Sequence, residues 1–103
     1  MTEELKNKIQ KLLKENSVYL FMKGTPQMPQ CGFSKAVVDV LNKHEVEFGA
    51  LDVLSDGEMR EAIKEFSNWP TLPQLYVNGE FVGGCDIIRE MDRKGELAPL
   101  LKN

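Results

Sequence analysis
Cysteine and histidine are scarce: Cys31, Cys85 and His44 are the whole supply among 103 residues. Two thiols do not make a disulfide scaffold, and a chain that is 42% hydrophobic has enough apolar material to fold without one. Two cysteines and one histidine also cannot complete a four-ligand metal site within one chain, so a metal held here must borrow ligands. Long apolar runs are missing as well. None approaches the roughly 20 residues that span a bilayer, and no membrane association is expected. The net charge is −3 and the cationic residues are scattered rather than clustered, which argues against nucleic acid. The opening Met1-Thr2-Glu3-Glu4-Leu5 is acidic, with neither a signal-peptide core nor the arginine-rich look of a transit peptide. A reducing cytoplasm is the expected compartment, and a processed organellar form would look the same. With no linker and no internal repeat, residues 1–103 are expected to form one domain around one core.

What the chain does contain is a regular alternation of helical and strand patterns. Thr2 ahead of Glu3 and Glu4 predicts an N-cap, and Leu5, Ile9, Leu12 and Leu13 then share one helical face as far as about Glu15. Val18 to Met22 is a continuous apolar run of strand length, as a central strand covered on both faces requires. Phe33, Ala36, Val37, Val40 and Leu41 return to helical spacing, from near Gly32 to near His44, and Phe48 to Val53 predicts a second strand parallel to the first. Ser55-Asp56-Gly57-Glu58 has the capping-box pattern, with Ser55 in the capping position of a helix buried through Met59, Ala62, Ile63 and Phe66 and stopped by Asn68-Trp69-Pro70. Gln74 to Val77 and Glu80 to Val82 flank Asn78-Gly79, the dipeptide that suits a type I′ hairpin. Asp86 is the expected N-cap of a helix with Ile87, Ile88 and Met91 on its packed face and Gly95 at its end, and Glu96 to Leu101 forms a short last helix. The order α-β-α-β-α-β-β-α-α predicts an α/β, thioredoxin-like fold: a four-stranded mixed sheet flanked by about five helices.

The chemistry concentrates between Lys23 and Ser34. Two prolines and two glycines make Lys23 to Gln30 an ordered loop that delivers Cys31 to a helix entrance. Free backbone N–H groups and the helix dipole favour an anion there, and Lys23 adds a cation, so Cys31 should be held as thiolate more readily than a free cysteine. Its ordinary alternative, a small core residue, fits poorly with so polar a loop. Ser34 stands where a C-x-x-C redox motif would have its second sulfur, and a hydroxyl cannot resolve a mixed disulfide.

The runs Lys23-Gly24-Thr25-Pro26 with Cys31-Gly32-Phe33-Ser34, Trp69-Pro70-Thr71-Leu72-Pro73-Gln74 and Gly83-Gly84-Cys85-Asp86 together resemble the monothiol glutaredoxins of the CGFS type, over essentially the whole chain. The resemblance implies that Cys31 binds one iron of a [2Fe-2S] cluster shared by a homodimer, with glutathione giving the other thiolate on each side; two chains and two glutathiones then supply four thiolates. It implies a cis Pro73 that turns the Leu72 backbone toward an extended peptide, glutathione. Lys23 and Arg60 would hold its glycyl carboxylate, Leu72 its cysteinyl backbone, Cys85 and Asp86 its γ-glutamyl end, with Thr71 and Pro73 shaping the groove. The implied function is cluster transfer to iron–sulfur acceptor proteins, with BolA-type proteins as partners. The alternative is a glutathione-dependent thiol–disulfide oxidoreductase working through Cys31 alone. The insert Thr25 to Pro29 favours the carrier, because an altered loop path could tilt bound glutathione and make its sulfur a poorer target.

Other readings stay beside these. Without the resemblance, Arg60 is an ordinary solvated charge, Asp86 a helix cap, and Cys85 a tightly packed small residue able to pair with Cys31 only under oxidation. His44 reads as favourable dipole chemistry at a helix C-terminus rather than as a metal ligand, and Trp69 as core, helix stop or a partner-facing indole.

Overall fold
The computed structural model describes residues 1–102. Its elements are α1 (Glu3–Glu15), β1 (Val18–Met22), α2 (Gly32–Lys43), β2 (Gly49–Asp52), a 3-10 turn (Val53–Ser55), α3 (Gly57–Ser67), β3 (Gln74–Val77), β4 (Glu80–Gly83), α4 (Cys85–Arg93) and α5 (Leu97–Leu101). The strands form one sheet in the order β2-β1-β3-β4. β1 runs parallel to β2, with Met22 opposite Asp52, and antiparallel to β3, with Phe21 opposite Gln74.

Strand alternation divides the core in two. Val18, Leu20 and Met22 of β1 face α2, α4 and α5 through Val37, Leu41, Ile88 and Leu97. Tyr19 and Phe21 face α1 and α3 through Ile9, Leu13, Met59 and Ile63. Every residue of β1 is therefore buried, as its unbroken apolar run predicts. The hairpin turn closes through Asn78 at φ 52° and Gly79 at φ 81°, the two positive values a type I′ turn needs.

The capping chemistry is right at one helix and displaced at two. Thr2 Oγ1 accepts from Leu5 N at 3.1 Å, as expected. At α3 the cap is Asp56, whose Oδ1 accepts from Met59 N at 3.1 Å, while the Ser55 hydroxyl donates to Asp52 O at 2.8 Å within the 3-10 turn. That turn consumes Val53, which ends β2 one residue earlier than expected. At α4 the cap is Gly84, not Asp86, which lies one residue inside the helix. Two apolar residues expected to pack also do not: Phe33 is 61% exposed and Ile87 39%.

His44 terminates α2, consistent with the dipole reading, and has a partner the sequence did not indicate. Its Nε2 lies 2.6 Å from Asp92 Oδ1, and Lys43 pairs with the other oxygen of the same carboxylate, pinning the end of α2 to α4.

Candidate functional site
Two parallel strands leave their C-terminal ends at one edge of the sheet, and the chain emerging from β1 there becomes the loop that carries Cys31. The loop is tied to itself and to the body. Thr25 and Met28 exchange backbone bonds of 3.2 and 3.0 Å, and Gln30 N donates to Lys23 O at 2.9 Å. Gly24 sits at φ 88°, where a Cβ would stand 2.5 Å from Met28 O and 2.6 Å from Gln30 N, so only glycine fits. Two consecutive amides at the loop's base are each held by a side chain. Lys23 N donates to the fully buried Ser34 Oγ at 3.1 Å, and Gly24 N to Asp52 Oδ1 at 2.9 Å. Asp52 Oδ1 also accepts from Leu54 N at 2.9 Å, so one carboxylate oxygen joins the end of β2 to the start of the loop.

Cys31 is the N-cap residue of α2 and is partly exposed. No ordinary side-chain capping bond closes on its sulfur. Partial burial alone raises the thiol, but the backbone amides of Ser34 and Phe33, the Ser34 hydroxyl and the Lys23 charge together outweigh it and hold Cys31 below the ordinary thiol value. Cys85 is the opposite case: burial pushes its thiol up despite Arg89 nearby, and Asp86 and Cys31 add to the rise. The two cysteines are both free and share one groove, with unequal tendencies to ionise.

That groove has a volume of about 440 Å³, inside the roughly 300–1,000 Å³ range of small-molecule sites. Cys31 opens into it. Its lining includes the cations Lys23, Arg60 and Lys64, the continuous segment Trp69 to Pro73 as one wall, and Gly84, Cys85 and Asp86, with Gly84 against Trp69 and Pro73. Every residue singled out from the sequence as a site candidate is therefore brought to one groove: Lys23, Cys31, Arg60, Thr71, Leu72, Pro73, Cys85 and Asp86. The Leu72–Pro73 bond is cis. Arg60 is half-buried, not a solvated charge, and its Nε is buried with no hydrogen-bond partner among the described residues. No carboxylate pairs with Arg60 or Lys23 among the ion pairs of the described residues. Lys64 pairs with Glu61 at 3.3 Å, which leaves Lys23 and Arg60 as the two groove cations without a carboxylate partner among the described residues, and such a pair suits an anionic ligand.

Sequence reasoning did not place four contributors in the groove. Lys64 lines the groove one helical turn after Arg60, a spacing that was available to read. Phe33 and Ile87 form an exposed apolar rim, which periodicity alone cannot tell from a core face. Trp69, 37% exposed, packs over Gly84, its Nε1 3.5 Å from where a Cβ would stand, and so belongs to the wall. No group of three or more His, Cys, Asp or Glu able to hold a metal occurs among the described residues. Of the two cysteines, Cys31 is the one held toward its thiolate form.

A family model described as Glutaredoxin matches residues 18–82. The chain is 58% identical over 95 residues to a "Probable monothiol glutaredoxin 2" of Rickettsia typhi, covering 92% of this chain and 86% of that protein. It spans only 20% of the longer "Monothiol glutaredoxin-S11" of rice, to which it is 52% identical over 100 residues. Among solved structures, reduced poplar apo GrxS14 superposes with a TM-score of 0.86 at 45% identity, covering 95% of this chain and 90% of that one. A buckwheat glutaredoxin–glutathione complex superposes with a TM-score of 0.84 at 28% identity, covering 99% and 94%.

Proposed function
This chain belongs to the glutaredoxin family, and from that premise we propose that it is a glutathione-dependent carrier of [2Fe-2S] clusters. The observation that carries the proposal is a lone thiolate-prone sulfur, Cys31, in a groove that also holds Lys23 and Arg60, two cations without a carboxylate partner among the described residues. Glutathione is a tripeptide with a free thiol, two carboxylates and one amine, and the groove holds groups complementary to each. Lys23 and Arg60, with Lys64 beside them, receive the glycyl carboxylate. The Leu72 backbone pairs with the cysteinyl residue between Thr71 and Pro73. The backbone around Cys85 and the exposed Asp86 carboxylate, at the start of α4, take the γ-glutamyl carboxylate and amine.

The cluster is cargo in this reading. Cys31 gives one thiolate and bound glutathione a second, so a homodimer of such chains completes the four that a [2Fe-2S] cluster takes. Because half the ligands exchange freely, release to an acceptor protein is easier than from four protein cysteines. The apolar rim of Phe33, Trp69 and Ile87 gives a second copy, a BolA-type partner or an acceptor a surface to meet around the sulfur. The activity belongs in a reducing compartment, the cytoplasm or an organelle, where Cys31 stays a thiol.

A second reading rests on the same lowered thiol. Cys31 thiolate attacks a protein–glutathione disulfide, the protein leaves as its thiol, and a second glutathione attacks the Cys31–glutathione disulfide to give oxidised glutathione and free Cys31. The buried Ser34 and the reluctant Cys85 leave resolution to glutathione.

Anaerobic reconstitution with iron, sulfide and glutathione separates the two. The carrier gives a brown dimer whose visible absorption is lost in Cys31→Ser and when glutathione is withheld. A colourless monomer with brisk deglutathionylation overturns the carrier in favour of the oxidoreductase.

A further inference from the structure
One buried polar group remains without a role. Gln74, the first residue of β3, is 0% exposed, and a primary amide that deep must have its hydrogen bonds met. They are met from the groove wall. Gln74 Nε2 donates to Trp69 O and to Thr71 O, each at 3.2 Å, and Gln74 Oε1 accepts from the Tyr76 hydroxyl at 3.1 Å. This pattern fixes the amide's orientation, since the flipped side chain would set its oxygen against two carbonyls. Tyr76 lies two residues along the same strand, held by aromatic neighbours Phe21 at 5.4 Å and Phe81 at 5.5 Å between ring centres. Ser67 Oγ holds the other end of the segment by accepting from Trp69 N at 3.2 Å.

We propose that Gln74 is the positioning residue of the groove wall: its amide draws the Trp69 and Thr71 carbonyls inward, and so sets the Leu72 peptide edge and the Trp69 indole toward the ligand. The wall offers backbone rather than charged side chains to a bound peptide, so its recognition depends on where that backbone lies. Trp69 to Leu72 is an irregular link between α3 and β3, with no ladder of its own to hold it. Gln74 supplies that restraint from the strand behind. Tyr76 acts one step further back by holding Gln74 oxygen outward from the carbonyls. The inference rests on the glutathione reading only for the identity of the ligand.

The test uses Gln74→Met, which keeps length and apolar bulk but removes the amide, and Tyr76→Phe, which removes one hydroxyl. Trp69 is the only tryptophan in the chain, so its emission reports the wall directly. Reduced glutathione should bind Gln74→Met about tenfold more weakly. Trp69 emission should shift to longer wavelength with greater acrylamide quenching, while Cys31 alkylation by iodoacetamide stays within about twofold, because none of these bonds touches the Cys31 loop. Tyr76→Phe should show the same signs at about two- to threefold. A lowered melting temperature with glutathione affinity and Trp69 emission both unchanged overturns the proposal and leaves Gln74 merely structural. If Gln74→Met does not fold, Tyr76→Phe decides by the same two readouts. If the parent chain binds no glutathione, the proposed function fails while Trp69 emission and quenching still decide this one.

Discussion

Replacing Asp52 by alanine should loosen the Cys31 loop although Asp52 is not in the groove. The carboxylate accepts two amides on one oxygen, Gly24 N and Leu54 N, both at 2.9 Å. Leu54 is exposed and its amide can turn to water at little cost. Gly24 is buried, and its amide has no replacement acceptor in the loop's bonding, so its loss approaches the roughly 1.5–3 kcal/mol of a hydrogen bond to a charged group. The sum is about 2 kcal/mol for Asp52→Ala. Asp52→Asn keeps an oxygen acceptor at about half the strength, for a loss of about 1 kcal/mol. For a domain of about 100 residues each kcal/mol lowers Tm by roughly 4–8 °C, so alanine should cost about 8–16 °C and asparagine about half that in differential scanning calorimetry. Glutathione affinity should fall in the same order, because Lys23 precedes the released amide. A melting temperature for Asp52→Ala within about 2 °C of the parent, or equal losses for both variants, would refute this account of the loop.

Two further outcomes follow from the charges. Thiolate is the alkylating form, and Cys31 is held below its ordinary value, so its iodoacetamide rate should reach half-maximum below the roughly pH 8.5 of a free cysteine. Lys23→Ala should move that midpoint up, and an unmoved midpoint would remove Lys23 from the thiolate's environment. The Asp92 carboxyl is held below the usual range, first by Lys43 and then by His44. A carboxylate with a depressed folded value contributes stability above its unfolded value near pH 4 and loses it as pH falls below that. Thermal scans from pH 6 to 3 should therefore show a flatter acid limb in Asp92→Asn than in the parent, and parallel limbs would show the contact to be inert.

How much of this was legible depended on how locally each feature is determined. β1 was readable because five consecutive apolar residues have one structural meaning when both faces are covered, and the hairpin because Asn78-Gly79 tolerates the positive φ values of its turn. Caps were readable only to within a residue or two. Ser55 and Asp56 are both good capping residues, and the unforeseen 3-10 turn gave Ser55 another acceptor. The groove's motif residues were found by resemblance. Asp52 was out of reach, because its bond to Gly24 exists only once β1 and β2 lie side by side. Phe33 and Ile87 misled for a related reason: the face they occupy turns to a groove instead of a core, and a hydrophobic repeat records the face without its neighbour.

The buried Ser34 hydroxyl bears on how one-sulfur and two-sulfur versions of such a site are related. Its oxygen is enclosed and already occupied by the Lys23 amide. A cysteine there would stand beside the Cys31 sulfur, where a resolving thiol acts, but it would replace the acceptor of the Lys23 amide by a larger atom that accepts hydrogen bonds poorly. Converting this protein to dithiol chemistry therefore trades an anchor for a sulfur: the start of the Lys23–Gln30 loop would have to find another acceptor for its amide.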